Sequence, residues 1–266
     1  MAYIPNISAP LKTGQTVSYA TGDDGDLEKG NARSYTALTT GQYSLTTDIT
    51  INGKTHALSN ECVQDNRTGL MWARYVPTAD IGPGDDGQLF WEQWTLAANS
   101  CTFDAATKTI TAAAGTPFDV GALCVGRKIT LSGTASNDGV VTVAVISTTV
   151  ITTVEALTDE GPVNTTFATL DDLIWDALDQ ANANSLGGYA DWRIPNYNEL
   201  ISLVDLGRYS PSIDVTAFPS TPNSHHWTSS TRPDYTTYAF IVDFGNGYVL
   251  YINKRPARHY LRLVRG

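Results

Sequence analysis

The strictest constraint on what this chain can fold into is the alternation near its C-terminal end. Phe240, Val242 and Phe244 fall in one phase, and Ala239, Ile241 and Asp243 in the other. A period of two is what a β-strand imposes, because successive side chains point to opposite faces. Gly245-Asn246-Gly247 follows; such residues accept positive φ at little cost and mark a hairpin turn. A second alternating run occupies 248–252, then a polar loop 254–259, then a last alternating run over 260–265. Strands that alternate with aromatic, basic and polar surface positions have the form of a binding face on a rigid sheet.

Upstream, the pattern changes period. Leu170, Leu173, Ile174, Ala177, Leu178 and Ala181 keep the spacing of one buried helical face. This predicts a helix over 170–184, ended by Gly187-Gly188. A second helix is expected from Asn198 to about Leu203, capped by Asn196. Residues 90–98 read as the start of a helix-like stretch, and Asn52-Gly53 as the turn of an earlier hairpin. From 99 to 168 the chain is almost entirely Thr, Val, Ala, Ile, Gly and Ser, with strand-like runs at 108–113, 128–132 and 140–154. The expected class is therefore α+β with two helices and an inserted all-β module. The expected organisation is an N-terminal arm (1–20), a main domain from 21–98 plus 169–266, and a β-sandwich-like insertion at 99–168.

Charge and chemistry narrow the function. Only 17% of the 266 residues are charged and the net charge is −10. A nucleic-acid partner is therefore not expected, since phosphate binding needs clustered cations. Arg255, Arg258, Arg262 and Arg265 form a local basic cluster, for which a solvated or salt-bridged face is favoured over an anion site. No apolar run is long enough to span a bilayer, and the N-terminal residues lack a signal-peptide pattern. The expectation is a protein of a virion or extracellular surface, cytoplasmic before release. Cys62, Cys101 and Cys124 suggest buried thiols, with a Cys101–Cys124 bridge as the alternative. Asp24, Asp26 and Glu28 could hold calcium but lack EF-hand spacing, so an Asp/Gly turn is favoured. No nucleophile elbow, zinc-protease or phosphate-loop motif accompanies His56, His225, His226 and His259. The chain is read as a non-enzyme without cofactor or metal.

Several segments in order also carry a family resemblance: Thr68-Gly-Leu-Met-Trp72, Gly187-Gly-Tyr-Ala-Asp-Trp-Arg-Ile-Pro-Asn196, Glu199-Leu-Ile-Ser-Leu-Val204, Trp227-Thr-Ser-Ser230 and Leu261-Arg-Leu-Val-Arg265. As a set they resemble the Lcl C-terminal domain family, whose members look like variants of the C-type lectin fold. Residues 99–168 fall outside this resemblance and are similar to small Ig-like modules of phage structural proteins. Many relatives carry Cys at the positions of Leu263 and near Ala181, so the resemblance implies no disulfide for Cys62 here. Some members look like targets of diversity-generating retroelements, in which adenine-directed mutagenesis rewrites chosen codons over a fixed scaffold.

The resulting expectation is a ligand-binding protein with a variable C-terminal surface, recognising a protein or glycan receptor on a cell surface. The alternative is a structural virion or adhesin component. The candidate surface residues are Asp234, Tyr235, Thr237, Tyr238, Ile241, Asp243, Gly245, Tyr248, Leu250, Arg255, Pro256, Ala257, Arg258 and His259. Tyrosines suit such a face because they offer broad amphipathic contact at low entropic cost. Ile241 and Asp243, opposite the Phe240/Val242/Phe244 face, are expected to be displayed. Arg255, Arg258 and His259 are expected to reach solvent, each as consistent with a plain surface role as with ligand contact. For Tyr251, in phase with Val249, packing is favoured. Trp72, Trp192 and Trp227 are assigned to the core.

Overall fold

The computed structural model describes residues 11–38, 46–51, 54–59, 61–76, 88–120, 123, 125–169, 173–255 and 257–266, with 46–51 and 54–59 as backbone. Several expectations lie outside the described residues. They are the first ten residues of the arm, the Asn52-Gly53 turn, Cys124 with its bridge, the start of the helix at 170–172, and Pro256. The chain divides into two compact units. One comprises Met1–Leu89, Ile174–Asn253 and Arg258–Gly266; the other comprises Phe90–Leu173 and Lys254–Ala257.

The first unit opens with a four-residue helix, α1 (Asp24–Leu27), capped by Asp23. Asp23 accepts backbone hydrogen bonds from Tyr19, Ala20 and Asp26, so this acidic stretch is a capped turn. Strands β1 (Tyr35–Leu38), β2 (Thr46–Ile51), β3 (Lys54–Ser59), β4 (Cys62–Asp65) and β5 (Met71–Ala73) follow. β2 and β3 pair as an antiparallel hairpin.

The second unit begins at the end of the short strand β6 (Leu89–Phe90). Its body is β7 (Thr95–Asp104), β8 (Thr109–Ala112), β9 (Lys128–Ser132), β10 (Gly139–Ile146), β11 (Val150–Thr153) and β12 (Glu160–Thr169). These six strands close into a barrel in the order β10-β11-β8-β7-β12-β9. β12 makes the closure, since it pairs with β7 along one edge and β9 along the other. Register shifts in the β12–β7 ladder, at Glu160/Val163 and Thr165/Phe167, add the local bend and twist that closing a sheet requires. Ile129, Leu131, Val141, Val143, Ile151 and Phe167 point inward by strict alternation. Phe118 meets Phe167 edge-on at 5.4 Å.

The chain then returns to the first unit. Helices α2 (Ile174–Ala183) and α3 (Tyr197–Ile201) precede strands β13 (His225–Thr231), β14 (Tyr238–Asp243) and β15 (Tyr248–Asn253). The short strands β16 (Arg258–His259) and β17 (Val264–Arg265) end it. β17 joins β1, β4 and β5 in a sheet of order β1-β4-β5-β17, and β13-β14-β15 form a second, antiparallel sheet. Trp72, Leu200, Phe218, Val242, Phe244 and Val264 form one core cluster with their neighbours.

This architecture overturns the expected fold class. The protein is mostly β, 38% strand and 10% helix, with three helices and a six-stranded barrel. It is not an α+β lectin-like fold with two helices and an Ig-like sandwich. The stretch at 90–98 supplies part of the reason. Phe90, Trp91 and Trp94 mimic helical spacing, but Cys101 and Phe103 alternate inward along β7, and tertiary pairing of that strand prevails.

The 187–196 stretch serves the scaffold. Trp192 is buried and its indole N–H donates to Leu186 O at 2.8 Å. Arg193 exchanges backbone hydrogen bonds with Val264. Asn196 caps α3 in a reciprocal box: its side chain accepts from Glu199 N at 3.0 Å, and Glu199 accepts from Asn196 N at 2.8 Å. Arg193 also grips Glu199 through two 2.7 Å bonds. Asn196→Ala is expected to cost about 1 kcal/mol in denaturant unfolding. A loss too small to measure would mean that the Arg193–Glu199 pair alone holds the turn.

Candidate functional site

The β13–β14 connection builds an exposed cluster. Backbone hydrogen bonds from Tyr235 N to Arg232 O, Tyr238 N to Tyr235 O and Arg232 N to Tyr238 O close this turn on itself. Arg232 binds Asp234 through two 2.7 Å bonds. Its guanidinium lies 3.8 Å from the centre of the Tyr251 ring and 4.7 Å from that of Tyr235. Tyr238 meets Tyr235 and Tyr251 edge-on, each at 6.0 Å between centroids. A cation over the negative face of a phenol ring is attractive, and edge-on ring pairs are a favoured geometry. The hydrogen bond to Arg232 lowers the Asp234 carboxyl from its ordinary value, and the same bond raises Arg232. The pair is therefore fully ionised at neutral pH, and the three rings have a fixed frame in which Tyr235 and Tyr251 remain open to solvent.

The other predicted residues divide. Asp234, Tyr235 and Thr237 are exposed and Tyr238 is half-buried. Tyr248 and Leu250 are exposed on β15, the edge strand of the sheet, on the face opposite Tyr251. Asp243 and Gly245 are half-buried, and Asp243 accepts the Gly245 N–H at 2.7 Å. Arg258 is exposed. Arg255 and Ala257 belong to the barrel unit, half-buried, with Arg255 bonded to Glu92 at 3.1 and 3.3 Å.

Three expectations about exposure are corrected. Ile241 is 1% exposed. It lies on the central strand β14, between Trp227 on β13 and Leu250 on β15, and with the adjacent Val242 also buried both faces of that strand are covered at this point. His259 is 8% exposed, packed 4.8 Å from Trp227 and 5.0 Å from His225. Tyr251, assigned to packing, is 51% exposed, because an edge strand leaves its outer residues uncovered. The sequence reading also omitted Arg232. The signal available for it was its spacing, two residues before an acid and three before a tyrosine, in a turn closed by Pro233.

The C-terminal arginines make no shared anion site. Arg262 is fully buried, Arg255 pairs with Glu92, and Arg265 pairs with Asp191 at 2.6 Å while stacking on Tyr189. A separate cleft of about 220 Å³ is lined by Leu11, Arg33, Ile201, Val204, Leu206 and Gly247; none of the clustered tyrosines lines it. Gly247 has φ +78°, and a Cβ there would lie 2.8 Å from Val204 Cγ1, so the turn after β14 accepts only glycine without strain.

Residues 149–265 match the Lcl C-terminal domain family. The matched stretch takes in β11, β12 and everything that follows, including the whole tyrosine cluster. No curated protein matches the chain. Among solved structures, phage phi92 endosialidase aligns at 18% identity over 50% of this chain and 19% of that one, with a TM-score of 0.23. The chain thus spans about a fifth of that protein's length, and the alignment defines no shared fold.

Proposed function

We propose that this protein is a non-catalytic binding protein of a virion or extracellular surface, which recognises a protein or glycan receptor on a cell. Its contact surface is the ring cluster Tyr235, Tyr238 and Tyr251 about Arg232, with Tyr248 and Leu250 as a second exposed patch on the opposite face of the edge strand β15. The carrying observation is that Tyr235 and Tyr251 stand open to solvent while an ion pair and a closed turn hold them, with Tyr238, in place. Preorganised aromatic residues lose little entropy on contact and dominate the energetics of recognition surfaces. The overlap with the Lcl match agrees with this placement. The exposed positions 234, 235, 237, 248, 250 and 258 and the half-buried 238 carry the assorted residues that adenine-directed diversification yields, so these positions are proposed to vary between copies of the gene.

The test is binding of labelled protein to intact cells and to immobilised glycans, with Tyr235→Ala, Tyr248→Ala and Tyr251→Ala as variants. Each is expected to weaken binding by about 30-fold or more, the loss of a hot spot near 2 kcal/mol, with unchanged circular dichroism. Variants that bind as the parent does would place recognition elsewhere. Diversification is checked in the flanking DNA. A near-copy of the 3′ end, differing at adenines in those codons, is expected beside a reverse transcriptase gene, and its absence would make the surface a fixed one.

A further inference from the structure

Two buried imidazoles sit where the terminal segment meets β13. The contact is zipped by backbone hydrogen bonds from Trp227 N to Tyr260 O at 2.9 Å and from Tyr260 N to His225 O at 3.1 Å. His226, on β13, is fully buried. Its ring lies edge-on to Phe244 at 4.8 Å and 5.5 Å from Tyr260. His226 Nδ1 is 3.1 Å from Ser224 O, while Nε2 is buried with no hydrogen-bond partner among the described residues. Those contacts fit the neutral tautomer with the proton on Nδ1. His259, on the terminal segment, is packed between Trp227 and His225, and its Nε2 is likewise buried and unpartnered.

The titratable and charged groups around this pair include one permanent cation, Arg262, and one carboxylate, Asp243. From the terminal segment come Tyr260 and the buried Arg262, whose hydrogen bonds all go to neutral oxygens. From β13 comes His225, and from β14 Asp243, 3.7 Å from His225 Nε2. Tyr35 on β1 acts on Arg262. A proton on either buried imidazole would add a cation with no acceptor for its new N–H, and for His226 it would do so near the Arg262 guanidinium.

We infer that His226 and His259 form an acid-sensitive latch, which holds the segment Arg258–Gly266 against β13 when neutral and releases it when protonated. The inference does not depend on the binding surface proposed above. Burial, then the charge of Arg262, keeps His226 well below the ordinary 6.5. Burial, then His225, brings His259 down to about 3. Both are bases with lowered docked values, so the undocked segment takes up protons the docked one refuses. Docking is complete above about pH 6.5 and weakens as pH falls from there towards the docked values. At pH 5 each histidine shifts the docking equilibrium by about 30-fold, and the two together by roughly a thousandfold.

Hydrogen exchange of the full chain at pH 7.5 and pH 5.0, corrected for the intrinsic rate, tests this. The expected result is a loss of protection at the amides that docking of the segment bonds, those of Trp227, Tyr260 and Val264 with those of Ala73 and Arg193, with β9 and β12 unchanged. The double variant His226→Phe/His259→Phe, close in shape and unable to titrate, is expected to keep its protection at pH 5. Should that variant fail to fold, side-chain NMR of the parent decides. An imidazolium signal from either histidine at pH 5 with the Tyr260 amide still protected overturns the latch, as does protection that is independent of pH or lost uniformly across the chain.

Discussion

Replacing Arg262 with methionine is expected to destabilise the first unit by about 3 kcal/mol in denaturant unfolding. Methionine keeps most of the apolar stem, so the loss isolates the guanidinium. Arg262 is fully buried and donates to Ala73 O and Arg74 O, both at 2.7 Å, and to Thr221 Oγ1 at 2.8 Å. It joins the terminal segment to the end of β5 and to the loop before β13, with Phe218 4.8 Å beneath its charge. Removing it leaves two buried carbonyls and a hydroxyl without their donor, each costing about 1–3 kcal/mol. Against this, the folded state no longer buries a cation, a saving that burial already signals by pushing the Arg262 group down to about 9. The unmet acceptors outweigh that saving because Nη1 and Nη2 together serve three of them. Arg262→Lys is expected to cost nearly as much, since one ammonium cannot span three acceptors set for a planar fork. A methionine variant within 1 kcal/mol of the parent would show that water replaces the guanidinium.

Two of the three strands of the β13-β14-β15 sheet were legible in the sequence, but not the environment of their faces. Alternation placed β14 and β15 almost to the residue and assigned Trp72, Trp192 and Trp227 to the core, where they are buried. It also located the Asn196 cap, because a capping side chain and its partner lie three residues apart in one short window. Alternation states which residues share a face, not what covers it. Ile241 and Tyr251 show the difference. Ile241 is buried because both faces of the central strand β14 are covered there, and Tyr251 is exposed on the edge strand β15, facts that depend on tertiary surroundings rather than on either strand. The barrel escaped for the same reason. Its closure depends on β12 meeting both β7 and β9, pairings remote in sequence that leave no local mark. The module's Thr/Val-rich composition revealed strands without revealing whether they stack as two sheets or close into one. Arg232 went unrecognised because its role arises from a ring on another strand.

Trp227→Ala is expected to cost about 4 kcal/mol, the range for emptying a buried aromatic site, whereas Trp227→Phe should cost only about 1–2 kcal/mol. The comparison separates packing from hydrogen bonding. The indole fills a site on β13 with no exposed surface, and its ring meets His259 at 4.8 Å. Its N–H donates to Leu89 O at 2.7 Å. Phenylalanine retains much of the ring contact and forfeits that donor, so its cost is that of one buried carbonyl left unmet plus a small void. Alanine loses both and removes the wall against which His259 rests. The void would also admit water beside His259. The alanine variant should therefore unfold at lower denaturant and show a weaker acid dependence in the exchange of the Tyr260 amide than the phenylalanine variant. Equal costs for the two substitutions would mean that the Leu89 hydrogen bond, rather than ring packing, holds this part of the sheet. In that case the aromatic contact between β13 and the terminal segment would contribute little to docking.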